Sequence, residues 1–240
     1  MQTMETQTRP ERARAPIGPR SRESFASNPL EFPPGPVWKR VLDVAAILLA
    51  SPLWLSGILF ISLWIKSVSP GPVFFTQERV GLGGRRFMML KLRSMKVHAE
   101  TDRHEEHFDR LVETDRPMTK LDAAGDRRMI FGGCFLRATG LDELPQIFNV
   151  LRGEMSLVGP RPCTVRELSK FQTWQMERFN ACPGLTGAWQ VNGKNKTSFS
   201  RMIELDIFYA RHRSLRLDMA ILWKTLPALF AQVRESKAVR

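Results

Sequence analysis

The sequence predicts a mostly helical α+β domain attached to a membrane, and three observations carry that prediction. Val41 to Ile65 (VLDVAAILLASPLWLSGILFISLWI) is almost wholly apolar. Two short apolar runs flank a glycine-rich connection at Gly81, Gly83 and Gly84, the pattern of a small β-hairpin. Amphipathic helical periodicity appears in the second half, at Val165 to Phe179 and in the closing segment Ser214 to Val233.

Composition narrows the partners. The 240 residues carry a formal charge of +12, which points to an anionic partner: nucleic acid, acidic headgroups or a phosphorylated ligand. A nucleic-acid binder would account for the charge but would have no need of Val41 to Ile65. The three cysteines, Cys134, Cys163 and Cys182, show no CxxC spacing, which argues against a disulfide framework or a zinc site. Nor do His98, His104, His107 and His212 follow metal-binding spacing.

Residues 1–36 are rich in Pro, Arg, Ser and Thr, too poor in large apolar side chains to offset ordering entropy, and read as a disordered tail without a secretory signal. The domain proper is expected over 37–240, with 37–68 in the membrane and 69–240 outside it. As a straight helix, Val41 to Ile65 would reach roughly 35 Å, enough to span a bilayer core. Pro52 removes a helical hydrogen bond near the middle, so a break is expected at Ser51-Pro52. Lys39 and Arg40 before the run and Lys66 after it give both ends a preference for the cytoplasm. A helix that bends and returns and a kinked span both remain open on these grounds.

After the turn Ser69-Pro70-Gly71-Pro72, strands are expected at Val73–Thr76 and Phe87–Leu92. Period-two alternation puts Lys91 and Arg93 on one face, as phosphate contacts or as solvated cations. The glycines match neither a P-loop nor a dinucleotide fingerprint. Residues 96–128 read as a charged, exposed excursion, helical over Glu100 to Glu113.

The chemistry concentrates in Phe135 to Pro162 (FLRATGLDELPQIFNVLRGEMSLVGPRP). Asp142 and Glu143 stand before an apolar helix expected over Leu144 to Leu151, where carboxylates are also at home as a cap. Arg137 and Arg161 flank the pair, and Arg suits bidentate phosphate recognition. One carboxylate free to attack and one free to hold a divalent cation together suit phosphoryl transfer. Pro183 to Lys194 is expected as a strand and loop presenting Gln190, Asn192 and Lys194 to a base, ribose or phosphate. Ser214 to Val233 suits either a membrane interface or packing on the core.

In order, KRVLDV with its Ser-Pro break, FFTQERVGLGG, KLRSM, LDELPQIFNVLRGEMSLVGPRP, PGLTGAWQVNG and ELDIFYARHRSLRLDMAILWKT resemble the bacterial sugar transferase family, the monotopic phosphoglycosyl transferases that begin exopolysaccharide and O-antigen assembly. The resemblance runs from about Lys39 to Thr225. It implies a re-entrant helix broken at Ser51-Pro52 and a location on the cytoplasmic face of the inner membrane. It also implies transfer of a sugar-1-phosphate from a UDP-sugar to polyprenyl phosphate, with UMP released and a covalent phospho-sugar formed on Asp142. Glu143 would hold Mg²⁺; Arg137, Arg161, Lys91, Arg93, Gln190, Asn192 and Lys194 would serve substrate or phosphate. UDP-sugar, polyprenyl phosphate and membrane lipid are the expected partners, with room for a homodimer and no role for nucleic acid. A UDP-hexose such as galactose or glucose is the expected donor. Leu92, Gly140 and Lys194 depart from the commonest family pattern, which has an aromatic, a Ser and an Arg there. A catalytically silent membrane scaffold of the same fold is the alternative.

Overall fold

The computed structural model describes residues 35–97, 109–111, 114–117 and 128–238. Most of the expected tail, most of the 96–128 excursion and His98, His104 and His107 therefore lie outside the described residues. Within them the domain is mostly helical, with one antiparallel hairpin and one short parallel strand pair.

The apolar run forms two helices, α1 (Val37–Leu49) and α2 (Ser51–Val68), parted at Ala50 with Pro52 in the first turn of α2. Pro52 has no N–H to give the preceding turn, and the Trp54 indole instead donates to the Ile47 carbonyl at 2.9 Å. Of the two, α2 is long and apolar enough to cross a membrane. One side of the helix pair packs on the domain through Ile47, Trp54 and Ile58; the other leaves Leu49 87% and Leu53 80% exposed.

Both ends of this segment are bonded to the same domain. Lys39 pairs with Asp218 at 2.6 Å, and Arg40 donates to the Val150 and Leu151 carbonyls. At the far end, Arg93, just after the hairpin, donates to Ser69 Oγ at 3.0 Å and to Ser69 O at 2.9 Å.

β1 (Phe74–Val80) and β2 (Arg86–Leu92) form the hairpin, in register from Phe74↔Leu92 to Val80↔Arg86. β1 runs four residues further than the sequence suggests, because Gln77 to Val80 find ladder partners and only Gly81–Arg85 turns. Gly83 and Gly84 take the positive φ values (62° and 80°) that this turn needs.

After β2 come α3 (Gly133–Thr139) and α4 (Gln146–Arg152), joined by a 3₁₀ turn at Leu141–Glu143. β3 (Ser156–Val158) follows and pairs in parallel with β4 (Gly184–Thr186), a contact the sequence pattern does not announce. Gly159, Gly184 and Gly187 make it possible: a Cβ on Gly159 would lie 2.1 Å from Cys182 O, and one on Gly184 2.0 Å from Gly159 N.

The helix expected over Val165 to Phe179 is instead two pieces. α5 (Val165–Ser169) ends before Phe171, whose buried ring packs with Phe179 and Phe199; a reciprocal Gln172/Gln175 cap then restarts the chain as a 3₁₀ helix, Thr173–Asn180. Pro183 to Lys194 keeps its expected strand, as β4, but Gln190 and Asn192 do not stand on a strand and loop. After β4 it forms the one-turn α6 (Ala188–Val191), because Ala188 and Trp189 are drawn into the core, and then a 3₁₀ turn at Lys194–Lys196.

α7 (Phe199–His212) and α8 (Leu215–Ala238) close the chain. α8 buries Asp218 and Ile221 and exposes an apolar stripe of Leu215, Met219, Trp223, Leu226 and Phe230. Tyr209, the chain's one tyrosine, is fully buried between these elements. Its hydroxyl donates to Asp218 Oδ1 at 2.7 Å or to Val158 O at 3.0 Å. Together Lys39, Asp218 and Tyr209 tie α1, α7, α8 and β3 into one buried polar knot. Tyr209→Phe strips that knot of its hydroxyl and is expected to cost about 1–3 kcal/mol. Denaturant unfolding at constant detergent measures it; an unchanged midpoint would mean the knot carries no stability.

The three cysteines are free thiols. Burial pushes Cys163 and Cys182 each up to about 12, so neither is a ready nucleophile near neutral pH.

Candidate active site

The acid pair sits where three elements meet. Gly140 (φ 73°) ends α3 and turns the chain into the 3₁₀ turn carrying Asp142 and Glu143. Neither this turn nor α4 has a side-chain cap bond, and Pro145 holds the N-cap of α4, so the capping reading of Asp142 does not hold. Pro145 also moves the start of α4 two residues beyond the expected Leu144. Asp142 is only 6% exposed.

Beneath the turn, Leu144 and, from α4, Ile147 and Phe148 pack against the α1–α2 break. Trp54 meets Phe148 edge-on with centroids 5.4 Å apart, and Leu144 lies against Gly57. The kink in the apolar segment thus forms part of the floor under the acid pair. Asn149, fully buried, fastens α4 to the hairpin by accepting from Leu90 N at 3.0 Å and donating to Met88 O at 2.8 Å. Arg40 caps the far end of α4 through its last carbonyls, a basic group at a helix C-terminus.

Cations surround the pair. Lys91, on β2, reaches Glu143 Oε1 at 3.1 Å. Lys194 donates to Gln232 Oε1 at 2.6 Å, and Gln232 Nε2 in turn donates to Arg137 O at 3.2 Å. Burial pushes the Lys194 ammonium down, Glu143 and Asp142 draw it back up, and Arg161 and Lys91 oppose them. These five groups therefore share one electrostatic neighbourhood.

Arg161 stands on the Gly159–Pro162 corner and binds Glu167 through Nη1 at 3.2 and 3.3 Å. The Arg137 side chain contacts Met95 Sδ at 3.8 Å. Arg93 does not join the site. β2 ends at Leu92, the alternation ends with it, and the guanidinium turns to Pro72 O (2.5 Å), Ser69 Oγ (3.0 Å) and Ser69 O (2.9 Å). Arg93 is thus neither solvated nor aimed at phosphate in this structure; it clamps the turn after α2. Asn192 is exposed and donates to its own helix at Ala188 O. Gln190 keeps a buried Oε1 without a hydrogen-bond partner among the described residues.

Of the departures from the common family pattern, Leu92 is buried with Ile65, Ile130 and Leu136, where an apolar residue serves. Gly140 occupies a left-handed position that favours glycine.

Sequence reasoning passed over Arg79, Glu167, Arg178 and Gln232. Arg79 lies in a glycine-rich motif and Arg178 in an amphipathic stretch, and nothing in their spacing says that both reach the same corner.

As a metal site the donor set is small. Among the described residues no group of three or more His, Cys, Asp or Glu is placed to hold an ion. Two adjacent carboxylates still fit Mg²⁺, which binds through one or two carboxylates plus substrate phosphates and waters.

The family model for bacterial sugar transferases matches residues 35–232, and the chain belongs to that family. It is 38% identical over 205 residues to the exopolysaccharide production protein ExoY of Rhizobium meliloti (strain 1021), covering 82% of this chain and 87% of that protein. It is 39% identical over 191 residues to the galactosyl transferase CpsE of Streptococcus agalactiae serotype III, covering 78% of this chain and 41% of that protein. A UDP-glucose:undecaprenyl-phosphate glucose-1-phosphate transferase of Xanthomonas campestris pv. campestris is 39% identical over 201 residues, covering 80% of this chain and 38% of that protein. The chain thus spans less than half the length of two of these three relatives.

Proposed function

We propose that this protein transfers a sugar-1-phosphate from a UDP-sugar to polyprenyl phosphate through a covalent intermediate on Asp142. The observation that carries this reading is the adjacent Asp142–Glu143 pair held among Lys91, Lys194 and Arg161. The relatives' names support the substrate class. In the first step an Asp142 carboxylate oxygen bonds to the sugar-bearing phosphorus, the P–O bond to UMP breaks, and UMP leaves with the bridging oxygen. In the second, a phosphate oxygen of the lipid bonds to the same phosphorus, the acyl-phosphate bond breaks, and Asp142 returns as carboxylate.

Lys91, Lys194 and Arg161 lower the repulsion between an anionic nucleophile and an anionic donor, and Arg137 stands by on α3. Glu143 would hold Mg²⁺, which supplies charge neutralisation at the phosphates when bound. The buried position of Asp142 keeps bulk water from competing for the adduct.

The reaction joins a water-soluble donor to a lipid acceptor, so it belongs at a membrane surface. The unpaired apolar faces of α1, α2 and α8 support that seat, with the domain on the cytoplasmic face of the inner membrane. Attachment of both ends of the α1–α2 segment to one domain supports a helix pair that enters and returns. Cysteines placed at Trp38 and Val68, in a background lacking the native thiols, are both expected to react only from the cytoplasmic side. Labelling of either one from the periplasmic side would mean a span.

The reaction is tested by UMP release from the purified, detergent-held chain with Mg²⁺ and polyprenyl phosphate against a panel of UDP-sugars. Lipid-dependent release with one sugar is expected, and UDP-galactose and UDP-glucose head the panel. Silence across the panel from folded protein would favour a scaffold role.

A further inference from the structure

The corner that carries Arg161 is held more tightly than a surface loop requires. Arg178 Nη2 donates to Arg161 O at 2.6 Å, and Arg79 Nη1 donates to Pro162 O at 3.3 Å. Val80 N donates to Cys163 O at 2.8 Å, so the end of β1 holds the next residue as well. On the other side, Gly159 N bonds Thr186 O and Gly184 N bonds Pro160 O, each at 2.9 Å. The backbone of Arg161 is therefore fixed from both flanks.

Its side chain is fixed by one residue. Glu167 accepts from Arg161 Nη1 with both carboxylate oxygens and lies 4.0 Å from Arg79 Nη1. Glu167 is itself immobilised by a reciprocal cap, accepting from Thr164 N at 3.1 Å while its own N–H donates to Thr164 Oγ1 at 3.0 Å. Burial pushes the Glu167 carboxyl up, but Arg161, Arg79 and the Thr164 N–H more than offset this and leave it below the usual carboxylate range. It is an anion at neutral pH. Arg178 pairs with Asp206, whose carboxyl burial pushes up to about 6. Three guanidiniums thus meet two carboxylates at this corner. Glu167 engages Arg161 through Nη1 alone, which leaves the rest of a five-donor fork for a phosphate.

We infer that Glu167 is a positioning residue that sets the guanidinium of Arg161 toward substrate phosphate, with Arg79 and Arg178 fixing the corner on which it stands. The inference rests on the proposed phosphate role of Arg161. As an anion Glu167 repels phosphate, so its contribution passes through the arginine. A bland ion pair that only stabilises α5 predicts a different result.

The test is a double-substitution cycle on kcat/KM for UMP release by the full chain, using the UDP-sugar that turns over. Glu167→Gln keeps the size and the cap acceptor and removes the charge. It is expected to lower kcat/KM about 10-fold in the native background and less than about 2-fold in an Arg161→Ala background, as residues acting in series do. Equal losses in both backgrounds would overturn the positioning role and leave the reaction reading intact. An Arg161→Ala variant with native kcat/KM would instead remove Arg161 from the reaction, and the inference with it. If Glu167→Gln fails to fold among three arginines, Glu167→Asp runs the same cycle with the charge kept and the carboxylate drawn back by one methylene. The same inequality between backgrounds is expected, and equal losses again overturn the role.

Discussion

Asp142→Asn is expected to abolish turnover, lowering UMP release by more than about 10³-fold, because the amide retains the size of the side chain and loses its nucleophile. The substitution falls in a 3₁₀ turn where Asp142 caps neither helix, so the fold should survive it. Matched thermal transitions for the two proteins would establish that. Native turnover in Asp142→Asn would remove the covalent route. The companion Glu143→Gln tests a different role: loss of a Mg²⁺ ligand is expected to raise the Mg²⁺ concentration needed for half-maximal rate, whereas loss of a nucleophile gives no recovery at any Mg²⁺.

Gly159→Ala is expected to be the most damaging small change to the fold, costing about 3 kcal/mol or more. A methyl group there would fall 2.1 Å from the Cys182 carbonyl, backbone that cannot step aside without parting β3 from β4. Arg161, two residues on, would move with the strand, so activity should fall with stability. Gly153→Ala is the control. Its φ of 83° disfavours a side chain, but nothing lies within 4 Å, and the cost should stay near about 1 kcal/mol. Thermal or denaturant unfolding separates the two; equal losses would mean that the strands yield to the added methyl and that their close approach does not govern Gly159, whose own φ is not positive.

These predictions draw on different depths of the sequence. The helix break was legible because proline acts locally: Pro52 cannot donate whatever the surroundings, and the chain parts at Ala50. The hairpin was legible because the glycines between two apolar runs are needed at positive φ. Lys91 was placed by alternation, and it reaches Glu143.

Alternation failed one step later. β2 stops at Leu92, and Arg93 follows the carbonyls of the 69–72 turn, which no local pattern reports. The helix expected from Val165 to Phe179 failed for a related reason. Its periodicity is real, but Phe171 is worth more in the core with Phe179 and Phe199 than on a continuous helical stripe. The β3–β4 pair was invisible because three-residue strands carry almost no periodic signal, and the glycines that let them meet are 25 residues apart in the chain.

Much the same holds for the site. Asp142, Glu143 and Arg161, which share one electrostatic neighbourhood, crowd one stretch of sequence, whereas the Arg137 side chain from the same stretch contacts Met95 Sδ. Lys194 was readable as a polar residue in a glycine-bounded segment, though its partner Gln232 on α8 was not. Glu167 and Arg79 escaped because their significance lies in a corner that forms only when the end of β1, the residues after β3 and the start of α5 come together.

In the proposed reaction the sugar phosphate rests covalently on Asp142 between the two halves. Intact-mass measurement of the purified chain, incubated with Mg²⁺ and the UDP-sugar that turns over but without polyprenyl phosphate, tests it most directly. The account predicts a gain of one sugar-phosphate unit, carried on the peptide containing Asp142, absent from Asp142→Asn and discharged when polyprenyl phosphate is added. Lipid product formed at the native rate with no adduct on the protein at any time would contradict it and mean direct transfer from donor to lipid.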